Sequence, residues 1–452
     1  MNKTRIGKHS VWDVLRREHI LLVILVFLFY YAWSVTVPPN VAPDEGMRYQ
    51  IPNFIMHNGY LPNGADPAIR DATWGISYGF APYLAQMISA GFMKITSLFT
   101  QNGLALLHAA RLVSVLCATA TVWVAIKISG HLFSGVSRAL FVVLIAVLPQ
   151  FLYLSSYINN DIFAIFSTSV ILYAWVTGLK QKWPTKSCVL LGIGMGLCAM
   201  SYYNAYGWLL ASVILFFVSS LAFDKQSIKK RDYRVKIYMV AGLFLAIAAW
   251  WFIRSYVIYD GDIFGMNITE HYKELYAATD FKPSHYQTVQ EQGLSLYSML
   301  IPMGWIKLTY CSAIGCFGSM DLWLPIWIYI LYSAIFLLAL IGCVMRFSAF
   351  LKEKRGKEHS RKWLMGICLL LTIVIPIALS VYYSYTSDFQ PQGRYILSML
   401  LSFMLFVTIG IRAFLDRFFK KKTANCIIIV LCVGLAVVAV YCLMGVLMPH
   451  YA

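Results

Sequence analysis

A chain of 452 residues with 60% apolar and 13% charged side chains is far from a soluble domain, which carries about 45–50% and about 25% respectively. The apolar runs recur along the whole length, which also excludes a soluble body on one greasy anchor. The net charge of +17 does not signal nucleic acid, because the basic residues gather in alternate loops, a pattern of membrane topology.

The hydropathy pattern predicts an all-α integral membrane protein with about eleven transmembrane helices, at 20–37, 104–129, 138–154, 160–178, 188–203, 206–223, 236–257, 322–345, 364–383, 396–415 and 425–448. An odd number of crossings puts the termini on opposite sides. Of the 37 Lys and Arg, 28 fall on the side of the N-terminus with Lys3, Arg5, Lys8, Arg16 and Arg17, whereas 13 of the 20 Asp and Glu fall on the other. The positive-inside rule then makes the N-terminus cytoplasmic and the C-terminus external. The first run ends in Val-Pro-Pro-Asn with no small-residue cleavage pattern, so it reads as a retained signal anchor. The whole chain reads as a single polytopic domain, with large external loops at 38–103 and 258–321.

Within the first loop, Leu84, Met87, Ile88, Phe92, Ile95, Leu98 and Phe99 recur at helical spacing, while Gln86, Ser89, Lys94 and Ser97 interrupt them. That is the pattern of a juxtamembrane helix lying in the interface. Eight of the ten cysteines fall in or beside spans, as small apolar residues do. Cys311 and Cys316 share an external loop, where they form a disulfide or remain two packed thiols. No Cys/His spacing suggests zinc, and no phosphate-binding glycine loop is present.

Polar residues suited to chemistry collect on the external side. Asp44 and Glu45 follow the first span, and two adjacent carboxylates can hold a divalent cation, Mg or Mn, or one can accept a proton. They equally suit a helix start, with Asp44 as N-cap and Glu45 in the first turn. Asn159-Asn160-Asp161 lies between the third and fourth spans and brings a further carboxylate to the same face, with Asp161 again open to a capping role. Arg254 ends the seventh span after Trp250-Trp251, and Arg394 opens the tenth. Either arginine can grip a phosphate or anchor the helix in the interface. No Asp or Glu lies near the middle of a predicted span, which speaks against ion-coupled transport.

Ala-Pro-Asp-Glu-Gly at 42–46, then His57-Asn-Gly59-Tyr-Leu-Pro62, Asn159-Asn160-Asp161, Trp251 to Arg254 and Pro391-Gln-Gly-Arg-Tyr395, taken in this order, resemble the landmarks of bacterial GT-C-class glycosyltransferases and of a related group of uncharacterised membrane proteins. The resemblance implies a polyprenyl-phosphate sugar as donor, an acceptor hydroxyl on the external face of a bacterial cytoplasmic membrane, and direct inverting displacement. It gives Asp44 the role of base or metal ligand, and Glu45 that of orienting the acceptor or assisting Asp44. Asp161, with Asn160, would complete an acceptor or metal site, and Arg394 with Arg254 would hold the departing phosphate. Ser255 after Arg254 and the stretch Asp260-Gly261-Asp262 depart from the pattern. The expected acceptor is a cell-envelope glycan: teichoic acid, polysaccharide or a lipopolysaccharide-like molecule. The rivals are protein O-glycosylation, a lipid or polysaccharide flippase for which Arg111 is the basic residue inside a span, and a non-catalytic envelope assembly factor.

Overall fold

The computed structural model describes residues 11–223, 230–353 and 356–451, with side chains from His19 onward. Lys3, Arg5 and Lys8 lie outside the described residues, as do the side chains of Arg16 and Arg17. The chain runs through α1 (Val11–Thr36), α2 (Glu45–Asn58), α3 (Leu84–Ser97), α4 (Gly103–Leu132), α5 (Val136–Ala146), α6 (Pro149–Leu154), α7 (Asp161–Gln181), α8 (Thr185–Ala199), α9 (Gly207–Val218) and α10 (Arg231–Ile258). It continues through α11 (Met266–Tyr276), α12 (Leu296–Leu300), α13 (Trp305–Ile314), α14 (Ile326–Leu351), α15 (Lys357–Thr386), α16 (Leu400–Phe418) and α17 (Lys421–Tyr441). A two-residue hairpin, β1 (Cys316–Phe317) against β2 (Leu322–Trp323), joins α13 to α14.

Among the described residues, nine helical stretches are long and apolar enough to cross a membrane, and α5 and α8 are shorter apolar helices. Together they match the eleven predicted spans. The span predicted at 138–154 is divided, because α5 ends at Ala146 and Pro149 opens α6; proline has no N–H to continue a helix and suits a first turn. Contacts at the two ends of the bundle align these short helices with the longer ones. At one end Lys180 reaches the carbonyl of His131, and Lys236 that of Lys182. At the other end Glu45 meets Arg111, Asn160 meets Ser201, and Asn204 meets Tyr395.

The helix α3 has 14 residues, about 21 Å at 1.5 Å per residue, too short for a hydrocarbon core of about 30 Å. Its polar residues turn inward: Gln86 donates to Asn160 and Ser89 to the carbonyl of Ala110. Ile88, Ile95, Leu98 and Phe99 face outward. Against the bundle, α14 and α16 cross closely, since a Cβ on Gly410 would lie 2.0 Å from the Ala339 carbonyl oxygen. Small residues at such a crossing let two backbones meet in an apolar medium.

The two large loops, 38–103 and 258–321, pack on each other. The Ala278 amide donates to Thr73, the Gly64 amide to the Tyr259 hydroxyl, and the Arg70 guanidinium covers the Tyr276 ring at 3.7 Å. Cys311 and Cys316 are both free thiols, and of the two readings the packed thiols hold.

Candidate active site

Asp44 occupies the position before α2, yet it caps nothing. Its backbone is left-handed (φ 61°, ψ 4°) and its side chain makes no capping bond. Instead Oδ2 accepts from Arg394 Nη2 at 2.6 Å, across 350 residues of sequence. The capping alternative for Asp44 therefore fails, and a residue type that tolerates positive φ points its carboxylate at the opening of α16.

Arg394 is held by its own segment. Nε donates to Gln392 at 2.7 Å and Nη2 also to the Tyr395 hydroxyl at 3.0 Å, while Tyr395 donates to Gln390 and Gln390 to Asp388. Gly393 is required here by space: a Cβ would lie 2.0 Å from the backbone nitrogen of Ala313, and its own amide donates to Ser312 at 2.7 Å. Nη1 of Arg394 is buried without a partner.

Asp161 begins α7 and is buried. The cap of α7 is supplied by Asn159, whose Oδ1 accepts from the Ile162 amide at 2.8 Å. Asp161 is in electrostatic contact with Arg394, Arg48 and Asp44. Tyr157, just ahead of it, faces Arg394, Asp161 and Asp44. Asn160 sits beside Asp161 but serves as a strut: Oδ1 accepts from Gln86 at 2.6 Å, and Nδ2 reaches the carbonyls of Pro82 and Ser201.

The structure adds Arg48 to the cluster. One turn after Asp44 on α2, it is 2% exposed, lies over the Tyr78 ring at 3.8 Å, and leaves Nε and Nη1 without partners. Its spacing to Asp44, one turn along a helix, was the available signal. Tyr78 had none, because only the packing of the 59–83 segment brings it in. Burial opposes ionisation of Asp44, but Arg394 and Arg48, with hydrogen bonds from Arg394 and Tyr78, outweigh it and hold the carboxyl below its ordinary value. Burial pushes the Tyr78 phenol well up, so it remains a donor.

Two expected site residues stand apart from this cluster. Glu45 is buried with both oxygens taken: Arg111 grips it through Nε at 2.7 Å and Nη2 at 2.6 Å, and the Ile158 amide adds a third bond at 3.1 Å. Adjacent residues at a helix start point in different directions, so sequence neighbours Asp44 and Glu45 do not share a face. Arg111 also donates to the carbonyls of Ser34, Val37 and Pro38, closing the end of α1. Arg254 donates to the Pro62 carbonyl at 2.8 Å and lies by Trp251, with Tyr83 donating to the same carbonyl. It steadies the first loop.

The donor set does not fit a divalent cation at Asp44 and Asp161. Such ions take about six oxygen ligands, whereas these carboxylates already face two guanidiniums, and among the described residues no three His, Cys, Asp or Glu side chains converge.

The oligosaccharyltransferase of Archaeoglobus fulgidus in the apo form shares this architecture with TM-score 0.53 and 14% identity, over 94% of this chain and 55% of that one. The same protein in complex with Zn and sulfate gives TM-score 0.51 and 15% identity, over 93% and 51%. ArnT from Cupriavidus metallidurans in the apo state aligns at TM-score 0.40 and 13% identity, over 90% and 78%. The chain thus spans about half the length of the oligosaccharyltransferase it resembles. The likeness is one of fold, that of GT-C membrane glycosyltransferases. No curated protein matches the chain. A family model described as predicted membrane protein, DUF2142, covers residues 69–403, and the chain belongs to that family.

Proposed function

We propose that this chain is a membrane glycosyltransferase that moves a sugar from a polyprenyl-phosphate-linked donor to a hydroxyl of a cell-envelope glycan outside a bacterial cytoplasmic membrane. The observation that carries the reading is the 2.6 Å pair of Asp44 and Arg394, with Asp161 and Arg48 buried beside it, at the end of the bundle opposite the basic loops. A hydroxyl and a phosphate leaving group need a base and a cation on one surface, and this cluster supplies both.

In the proposed step the acceptor oxygen attacks the anomeric carbon as the bond from that carbon to the phosphate oxygen breaks. The acceptor proton passes to Asp44 and the electron pair leaves with the phosphate, whose growing charge Arg394 meets. Fixed donors aimed at developing charge are commonly the largest electrostatic contribution to such a barrier. Asp161 orients the acceptor. Glu45, Asn160 and Arg254 are positioning residues: the first two fix the ends of α1, α3, α4 and α8 around the cluster, and the third fixes Pro62.

A flippase would use a basic path through the bilayer, but Arg111 is consumed by Glu45 and three carbonyls. The testing experiment is transfer of labelled sugar by the purified protein in nanodiscs from a panel of polyprenyl-phosphate sugars. At least one donor should be turned over, with loss of turnover in Asp44→Asn. A folded protein that neither transfers nor hydrolyses any donor would sink the proposal.

A further inference from the structure

We infer that Arg48 and Arg394 together take the place a divalent cation would hold between Asp44 and Asp161, so that the cluster works as two carboxylates balanced by two guanidiniums and keeps metal ions out. The inference rests on the glycosyltransferase reading only for the use made of that charge.

Four observations converge. The charges of Arg48 and Arg394 both act on Asp44 and on Asp161, so that two negative charges face two positive ones. Arg394 closes on Asp44 at 2.6 Å, where a metal ligand would have to stay open. Arg48 is desolvated, makes no close ion pair among the described residues, and lays its flat face on Tyr78 at 3.8 Å. A buried guanidinium is costly unless nearby charge compensates it, and the two aspartates are what compensates. Lastly, Nε and Nη1 of Arg48 and Nη1 of Arg394 remain without partners. These N–H groups can serve an anionic oxygen as the open coordination positions of a metal would, but with fixed direction and no exchange with solvent ions.

Titration of purified protein in nanodiscs with Mn2+, followed by electron paramagnetic resonance, tests this without any substrate. The unaltered protein should hold no tight Mn2+. Arg48→Gln leaves two buried carboxylates against one arginine, and should bind one Mn2+ on the order of tenfold more tightly or better. Adding Asp44→Asn to Arg48→Gln should abolish that site, and Arg48→Lys, which keeps the charge, should behave like the unaltered protein. Tight Mn2+ in the unaltered protein that disappears in Asp44→Asn overturns the inference, and so does an Arg48→Gln protein with an unchanged melting curve and no gain in Mn2+. The unaltered-protein titration decides even where a variant does not fold. Failure of every sugar donor would count against the glycosyltransferase reading alone, whereas transfer abolished by a chelator and restored by Mn2+ would count against this one.

Discussion

At Asp44 a left-handed backbone and the proposed base coincide, and this makes the residue easy to interrogate. Positive φ costs most L-residues roughly 1–2 kcal/mol, but Asn accepts it nearly as well as Asp. Asp44→Asn should therefore fold with little change in melting temperature and lose about 10²–10⁴-fold of transfer rate, the usual contribution of a general base. Asp44→Ala should be as inactive and about 1 kcal/mol less stable, because alanine lacks that tolerance. Normal transfer by Asp44→Asn would move the base to Asp161. The pH profile follows from the same pairing. Since Asp44 is held below its ordinary value, its ionised form persists to lower pH than that of a free aspartate near 3.9. Stability contributed by the ion pair is present above that range and is lost as pH falls through the depressed value. The acid limb of kcat/KM should accordingly lie below about pH 4; a limb centred near 6 would exclude Asp44 as the titrating group. Glu45 behaves differently. Breaking a buried ion pair by removing one partner costs about 3–5 kcal/mol, so Glu45→Gln should lower the melting temperature before it alters any chemistry, and retained activity in the surviving folded fraction would confirm a positioning role.

Elements explain which parts of this picture could be read beforehand. Long apolar helices announce themselves by hydropathy, and even α5 and α8 were legible as spans. The break at Pro149 was signalled by the proline itself, but the apolar run resumes over Phe151 to Leu154, so hydropathy reads straight through it. Asp44, Asp161 and Arg394 could be picked from position and motif, since each lies beside the end of an apolar span opposite the basic loops. The different partners of Asp44 and Glu45 were not legible, because two neighbouring carboxylates look equivalent in a sequence while a helix start sends one to Arg394 and the other to Arg111. Tyr78 needed three-dimensional packing, whereas Arg48 was signalled only by its one-turn spacing from Asp44. The 390–395 segment shows how tightly an element can be specified: Gly393 passes so close to α13 that a Cβ would lie 2.0 Å from Ala313 nitrogen. Gly393→Ala should displace Arg394, destabilise by about 1–3 kcal/mol or more as overpacking does, and weaken donor binding measured by lipid-phosphate retention.

For the molecule as a whole, the parity of the crossings decides whether the cluster faces outward. Cysteines placed at Tyr60 and Asp280 should react with an impermeant thiol reagent added to intact cells, while one at Lys357 should be protected, all on a background in which the exposed Cys426 is replaced. Labelling of Tyr60 and Lys357 positions from one side would break the topology. The reversed amphipathicity of α3 bears on how deep the protein rides. Ile88 and Ile95 of α3 are 41% and 59% exposed, whereas its Gln86 is buried and bonded to Asn160, the neighbour of Asp161. With α3 in the interface and the carboxylates as the proposed reaction centre, bilayer thickness is expected to act as a setting on the waterline of that centre. Membranes thinner or thicker than the native one should tilt α3 and, through a single amide strut, misalign base and acceptor without touching either.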